Sequence, residues 1–162
     1  MPEGALSSIP APPAAVGTDV DAAPEELLNR LHGRFCHRAR MFGDGGCPRC
    51  GGRVDATLRA CSSHDDSDGH CDECGTALPA TVHVSCEVCS EGGIVPPAAM
   101  VSHRTPFREA LAAAGVDRLG YDAFAVTAGW PLRVVDGDEP VVEYDLPSGP
   151  VRILVDGNTT IR

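Results

Sequence analysis

The sequence predicts an α+β protein: an amphipathic helix, then a small β-hairpin or ribbon, then a short helix packed with an antiparallel β-meander. Three observations predict this class. Apolar residues recur at helical spacing after residue 24, Cys and His pairs frame two strand-like runs between residues 47 and 89, and alternation of period two begins after residue 131. The 162 residues suit one or two small domains and exclude a large multi-domain enzyme.

Charge and composition indicate the kind of environment that the protein is adapted to and the partners that it can bind. All 13 basic residues are Arg, 23 residues are acidic, and the formal net charge is -10. This balance, with many Ala and Val, is typical of proteins from salt-accumulating halophiles. In molar salt the Debye length falls to ~3 Å, so repulsion between surface charges is screened and an acidic surface is tolerated. An acidic chain argues against DNA binding on its own, because that affinity comes from neutralised phosphates.

Targeting signals are not evident in the sequence. No apolar run approaches the ~18 residues of a membrane span, and the N-terminus lacks a basic segment followed by an apolar core. We therefore expect a cytoplasmic protein with no membrane contact.

The N-terminal part divides into a tail and a helix. Residues 1–23 are rich in Pro and Ala without periodicity, which indicates a flexible tail. Pro24 suits the first position of a helix over residues 24–43, and the two Glu residues after it suit the helix dipole. We expect Gly43 to cap the end of this helix.

The apolar face of this helix needs a partner surface. It either packs on the chain's own meander or serves for self-association or docking. Cys36 is expected to be a small buried hydrophobe, and His32 and His37 to lie on the polar side. The residues of the expected interaction face are Leu27, Leu31, Phe35 and Phe42.

Segment 44–92 carries the clearest chemistry. Its Cys-x2-Cys or Cys-x2-His spacing lets two side chains of one turn reach a tetrahedral ion, with Zn–S near ~2.3 Å. Four such pairs supply eight ligands, which complete the tetrahedral coordination of two ions, so we predict two structural Zn²⁺ sites. Disulfides fit poorly in a reducing cytosol, and no thioredoxin-like pattern surrounds a pair. The pairs are Cys47/Cys50, Cys61/His64, Cys71/Cys74 and Cys86/Cys89.

The pairs can combine in two ways. If residues 53–60 and 78–85 form a hairpin, the outer pairs meet at its base and the inner pairs at its tip, with no chain crossing. The alternative joins Cys47/Cys50 to Cys71/Cys74 and leaves Cys61/His64 to meet Cys86/Cys89, and its first interval also suits a zinc ribbon. His70 is a competitor of His64 as a ligand. Protein fills every position in either scheme, whereas a catalytic zinc keeps one open.

Segment 93–162 is expected to hold a helix and a meander. The helical pattern over 98–114 breaks at Pro106, with Thr105 as the N-cap and Gly115 as the stop. Residues 141–146, 151–155 and 158–161 read as strands joined by turns at 147–150 and 156–158. The apolar face expected for the helix consists of Phe107, Ala110, Leu111 and Ala114.

The order of the ligand pairs is similar to that of a known family. Cys61-x2-His64, Cys71-x2-Cys74-Gly75 and Cys86-x2-Cys89, followed by Pro96-Pro97, His103 and the closing meander, resemble the C-terminal domain of winged-helix, ArsR-like transcriptional regulators of halophilic archaea. The resemblance covers residues 20–162. It implies a role in transcription regulation, beside a winged-helix partner or in a homodimer. Residues 1–23 are too few for the family's own winged helix, so the chain is a stand-alone version or part of a longer protein.

We therefore expect a non-catalytic, zinc-binding regulatory or interaction module. One alternative is a zinc-ribbon nucleic-acid binder that uses Arg49, Arg53 and Arg59, although aromatic residues for base stacking are absent from 43–106. Another is a metal or redox sensor with a labile Cys3His site. An enzyme is not expected, because neither an open metal site nor a phosphate-binding loop is evident.

Overall fold

A computed structural model describes residues 23–65, 71–116, 130–135, 141–146, 149–155 and 160–161. It confirms the α+β class. Nearly all of the predicted tail and His70 lie outside the described residues. The elements are α1 Pro24–Gly43, β1 Val54–Ala60, β2 Ala80–Cys86, β3 Gly92–Val95, α2 Pro97–Val101, α3 Thr105–Ala113, β4 Leu132–Val135, β5 Val141–Leu146, β6 Gly149–Leu154 and β7 Thr160–Ile161.

Helix α1 spans the expected residues 24–43, but a different glycine from the expected one caps it. Pro24 opens it after the extended Ala23, with Glu25 and Glu26 in the first turn. At the other end, the N–H of Gly46 bonds to the carbonyl of Met41 and the N–H of Gly45 to that of Phe42. This is a Schellman motif with Gly45 in the left-handed position, at φ 80°. Gly45 therefore terminates the helix, and the expectation that Gly43 caps it is wrong.

Gly43 is instead the point where α1 approaches α2. It is a buried helical residue, and a Cβ placed on it would lie 2.5 Å from the carbonyl oxygen of Met100. Real Cβ atoms do not come that close to another heavy atom. Gly43 thus allows two backbones to touch, which explains its glycine without a left-handed conformation.

The apolar face of α1 is largely used inside the molecule. Phe35 and Phe42 are buried in the same hydrophobic core as residues of both sheets, so they are not available to a docking partner. Leu27 and Leu31 remain partly exposed. The expected interaction face is therefore wrong for Phe35 and Phe42, and only Leu27 and Leu31 remain candidates for it. His32 is also buried, 6 % exposed, which corrects its expected place on the polar side, since it packs on Phe35.

The first sheet is antiparallel in the order β1-β2-β3. The register of the predicted hairpin runs from Val54 opposite Cys86 to Ala60 opposite Ala80. His83 is exposed, as expected from alternation. Strand β3 pairs with β2 and was not predicted, because its first two residues are glycines with no alternating pattern.

The second sheet is antiparallel in the order β4-β5-β6-β7 and contains the predicted meander as β5, β6 and β7. Strand β4 was not predicted, and β6 begins at Gly149, inside the turn expected at 147–150. The turn expected at 156–158 lies outside the described residues. Tyr144 of β5 joins it to the helices, because its hydroxyl accepts a hydrogen bond of 3.2 Å from the N–H of Ala98 and its ring meets Phe107 edge-on at 5.5 Å. Burial also raises the pKa of Tyr144. A single core therefore runs from α1 through α2 and α3 to this sheet.

The predicted helical stretch 98–114 is broken, as expected, but not at Pro106. The break falls at residues 102–104, and Arg104, not Thr105, occupies the N-cap position of α3. Thr105 is already helical and makes no capping bond. Of the expected apolar face, Ala114 is exposed, because the helix has ended before it. No helix in the described part of the chain has the length and apolarity needed to cross a membrane.

Candidate metal centres

The hairpin brings the eight predicted ligands, seven Cys and one His, into two groups. In each group, one ligand atom per residue lies within 4.8 Å of all the others. The first cluster, at the base, consists of Cys47, Cys50, Cys86 and Cys89, and the second cluster, at the tip, of Cys61, His64, Cys71 and Cys74. This is the first of the two combinations, in which the outer pairs meet at the base of the hairpin and the inner pairs at its tip. The register decides it, because pairing Val54 with Cys86 places both outer turns at one end of the strands.

The distances between donors match a tetrahedral ion. Metal–sulfur bonds of ~2.3 Å give a tetrahedron with edges of ~3.8 Å. In the first cluster the Sγ atoms of Cys47 and Cys89 are 3.7 Å apart, and those of Cys50 and Cys86 are 3.5 Å apart. All eight cysteines of the chain lie in its described part, and none of them forms a disulfide.

The second cluster has similar spacings. The Sγ atoms of Cys61 and Cys71 are 3.9 Å apart, and Nδ1 of His64 lies 3.5 Å from Sγ of Cys74. The other ring nitrogen of His64 is buried and has no hydrogen-bond partner among the described residues. Three thiols and one imidazole form a donor set suited to zinc, and each cluster can hold one metal ion.

Three of the four ligand turns share one backbone design. The N–H of the first cysteine bonds to the carbonyl five residues later, at 2.8–2.9 Å, in the turns that begin at Cys47, Cys71 and Cys86. In two of them a glycine, Gly51 at φ 72° or Gly75 at φ 68°, bonds back to the first carbonyl. The left-handed glycine lets the chain reverse sharply enough for two side chains to face one point.

Backbone N–H groups also point at the thiols of the first cluster. The N–H of Gly52 lies 3.4 Å from Sγ of Cys50, and that of Val88 lies 3.3 Å from Sγ of Cys86. Hydrogen bonds from Val88 and Cys89 lower the pKa of Cys86 to about 7. Gly52 likewise favours the Cys50 thiolate, but contacts with the neighbouring thiols, Cys86 first, outweigh it and raise that pKa to about 12.

The second cluster shows the same contrast. Backbone N–H groups, first that of Asp65 and then that of Cys74, lower the pKa of Cys71 to about 6. Cys61 accepts from Ser63, yet burial and the Cys74 thiol raise its pKa. In each group the pKa of one thiol is lowered, while that of another is raised by neighbouring thiols in the first cluster and by burial and a neighbouring thiol in the second. A bound cation favours the thiolate form against both effects, so both groups have the chemistry of a metal site.

The clusters differ in their surroundings. Cys47 is fully buried and belongs to the main core, so the first cluster ties the hairpin to the body of the protein. The second cluster lies at the far end of the hairpin, where Cys71 is buried and Cys74 is exposed. A hydrogen bond from Ser63 to Glu73 closes the loops around it.

Other residues considered from the sequence lie outside these clusters. Arg53 pairs with Glu87 at 3.6 Å. His103 lies 3.4 Å from Asp44, and burial lowers its pKa.

A groove beside the first cluster was not predicted. Its volume is about 470 Å³, and it is lined by Arg34, His37, Arg38, Pro48, Arg49 and Glu91. The spacing of the three α1 residues at i, i+3 and i+4 was a signal for a shared face. That Arg49 lines the same groove as this face depends on the tertiary structure.

Comparison with curated proteins finds no match, and comparison with solved structures finds none either. One family matches almost the whole chain, over residues 3–161, and it is described as a domain of unknown function, DUF7351. Because the match covers well over half of its length, the chain belongs to the DUF7351 family.

Proposed function

We propose that this protein is a non-catalytic, zinc-dependent interaction module that acts with a DNA-binding transcriptional regulator. The observation that carries the proposal is the closure of both clusters: four protein donors surround each centre. A catalytic zinc retains a position for water or substrate. A metal held by four side chains serves instead to stabilise the surface around it.

Zinc is the metal that the donor sets favour. Four thiolates, or three thiolates and an imidazole, in tetrahedral arrangement are typical of structural zinc. The first cluster would hold the hairpin against α1 and the core, and the second would order the tip. The hairpin then presents a fixed surface to a partner.

Support for the regulatory role comes from the sequence. The order of ligand pairs, Pro96-Pro97, His103 and the meander resemble the C-terminal domain of ArsR-like, winged-helix regulators. The partner is then a second copy of the chain or a winged-helix protein. Leu27 and Leu31 are the part of the expected face that stays partly exposed, and we expect them to contribute to the contact.

The test combines metal analysis with capture of partners. Elemental analysis of the purified full chain should find two zinc ions per chain. In molar potassium chloride, light scattering should show a dimer, or the tagged protein should recover a winged-helix protein. The double variant Leu27→Ser with Leu31→Ser should no longer form the dimer or recover that protein. Ala112→Ser with Ala113→Ser, on exposed positions of α3, is the control. A monomer that recovers no winged-helix protein contradicts the regulatory role.

The position of the second cluster at the hairpin tip favours one further candidate, a metal or redox sensor. Each cluster has one buried and one exposed cysteine, but the buried Cys47 of the first cluster belongs to the main hydrophobic core, whereas the buried Cys71 of the second does not. The tip ion should therefore exchange first. Under hydrogen peroxide, a sensor should release one zinc per chain, and Cys61→Ser should abolish that release. Retention of both ions contradicts sensing.

A further inference from the structure

The groove next to the first cluster carries a charge opposite to that of the whole protein. Its lining contains Arg34, Arg38 and Arg49 with a single carboxylate, that of Glu91. The chain as a whole has 23 acidic against 13 basic residues. A concentration of three guanidinium groups in one concave site is therefore a local feature that the general composition does not produce.

Most arginines in this protein are used in ion pairs. In the part of the chain that the structure describes, seven of them lie within 4.0 Å of a carboxylate oxygen, at positions 30, 38, 40, 53, 104, 133 and 152. Arg34, Arg49, Arg59 and Arg108 form no ion pair with any described residue. Two of these four, Arg34 and Arg49, line the groove, and both side chains are exposed.

The groove is built from two rigid parts. Arg34, His37 and Arg38 lie on one face of α1, and Arg49 lies in the turn between two ligands of the first cluster. The N–H of Arg49 bonds to Sγ of Cys47 at 3.4 Å, so the cluster positions that turn. Arg38 forms an ion pair with Glu91, and both side chains are only 17 % exposed. This pair orients Arg38 while Arg34 and Arg49 keep their donors for a ligand.

We propose that this groove binds a small ligand that carries phosphate groups. The planar guanidinium group donates two parallel hydrogen bonds to phosphate oxygens, and arginine is the residue best suited to this contact. The volume of about 470 Å³ lies within the range of small-molecule sites, roughly 300–1,000 Å³. A multiply charged anion of this size can contact the guanidinium groups on both sides of the groove.

Two observations favour a small phosphorylated molecule over a nucleic acid. No Phe, Tyr or Trp side chain lines the groove, so an unpaired base has no ring on which to stack. The net charge of -10 repels a long polyanion that extends beyond the groove, whereas a small anion remains inside the positive region.

The test is calorimetric titration of the zinc-loaded full chain with inorganic pyrophosphate at one fixed potassium chloride concentration. Arg34→Ala and Arg49→Ala should each weaken binding about tenfold or more, as expected for the loss of a hydrogen bond to a charged group. The matched controls are Arg59→Ala and Arg108→Ala, the two other arginines without an ion pair among the described residues. These should change affinity less than about twofold.

Zinc content measured after each titration shows whether the Arg49 variant or pyrophosphate has removed the metal. Arg34→Ala provides an independent variant, because Arg34 lies on α1 and not in a ligand turn. No binding of pyrophosphate overturns the proposal, as does unchanged affinity in Arg34→Ala. Equal weakening in the control variants would show general electrostatic attraction instead. Citrate binding as tightly as pyrophosphate refutes the phosphate assignment, and binding of duplex DNA that pyrophosphate does not displace refutes the small ligand.

Discussion

The contact between α1 and α2 yields a prediction whose sign opposes the usual rule for helices. Replacement of a helical glycine by alanine normally stabilises a helix by up to ~1 kcal/mol, because alanine has less backbone freedom to lose. For Gly43→Ala we expect the opposite. The new Cβ would lie 2.5 Å from the carbonyl oxygen of Met100 and 3.1 Å from its Cβ.

The size of the effect follows from what must move. The nearest atom belongs to the backbone of α2, not to the end of a flexible side chain, and Met100 is itself fully buried. Overpacking of a core by one methyl group costs about 1–3 kcal/mol. After the gain in helix propensity of up to ~1 kcal/mol is subtracted, Gly43→Ala should lower the free energy of unfolding by up to about 2 kcal/mol.

The same helix provides the control. A Cβ on Gly33 would meet no atom within 4 Å, so Gly33→Ala should raise the free energy of unfolding by about 0.5–1 kcal/mol. Denaturant unfolding of the zinc-loaded variants, followed by circular dichroism at constant salt, measures both. If Gly43→Ala stabilises the protein as much as Gly33→Ala does, the close contact of α1 with α2 is wrong.

Three further predictions concern the metals, a buried charge and pH. A strong chelator should unfold the hairpin, so an unchanged circular dichroism spectrum after verified metal removal would contradict the structural role of the clusters. Glu143 is 4 % exposed and pairs with Arg133 and Arg152, which are mostly exposed. The double variant Arg133→Ala with Arg152→Ala leaves this buried carboxylate unpaired, so it should destabilise the protein more than Glu143→Gln does, by about 1–3 kcal/mol in denaturant unfolding. The reverse order would contradict this. Burial lowers the pKa of His32, so below pH ~6.5 the unfolded chain gains a proton that the folded chain resists. Stability should fall on the acid side of that value, and fall less in His32→Gln, as unfolding at several pH values can measure.

Local spacing was enough to predict much of this protein. The start of α1, the two hairpin strands, the meander and the four ligand pairs all follow from residues only a few positions apart. A Cys-x2-Cys turn places two side chains together whatever surrounds it, and alternation marks a strand because side-chain direction has a period of two. The sequence by itself therefore determined the α+β class and the residues able to bind metal.

Other features depended on contacts between distant segments. The sequence left two combinations of the ligand pairs open, and the pairing of Val54 with Cys86 decided between them. Gly43 and Gly45 are both credible ends for α1, and only the approach of Met100 shows that the first is needed for packing. Likewise His32 is buried, and Arg34 and Arg49 line one groove, because of what packs against α1. Burial and charge clustering between segments remote in sequence are properties of the assembled core, so tertiary structure alone decided them.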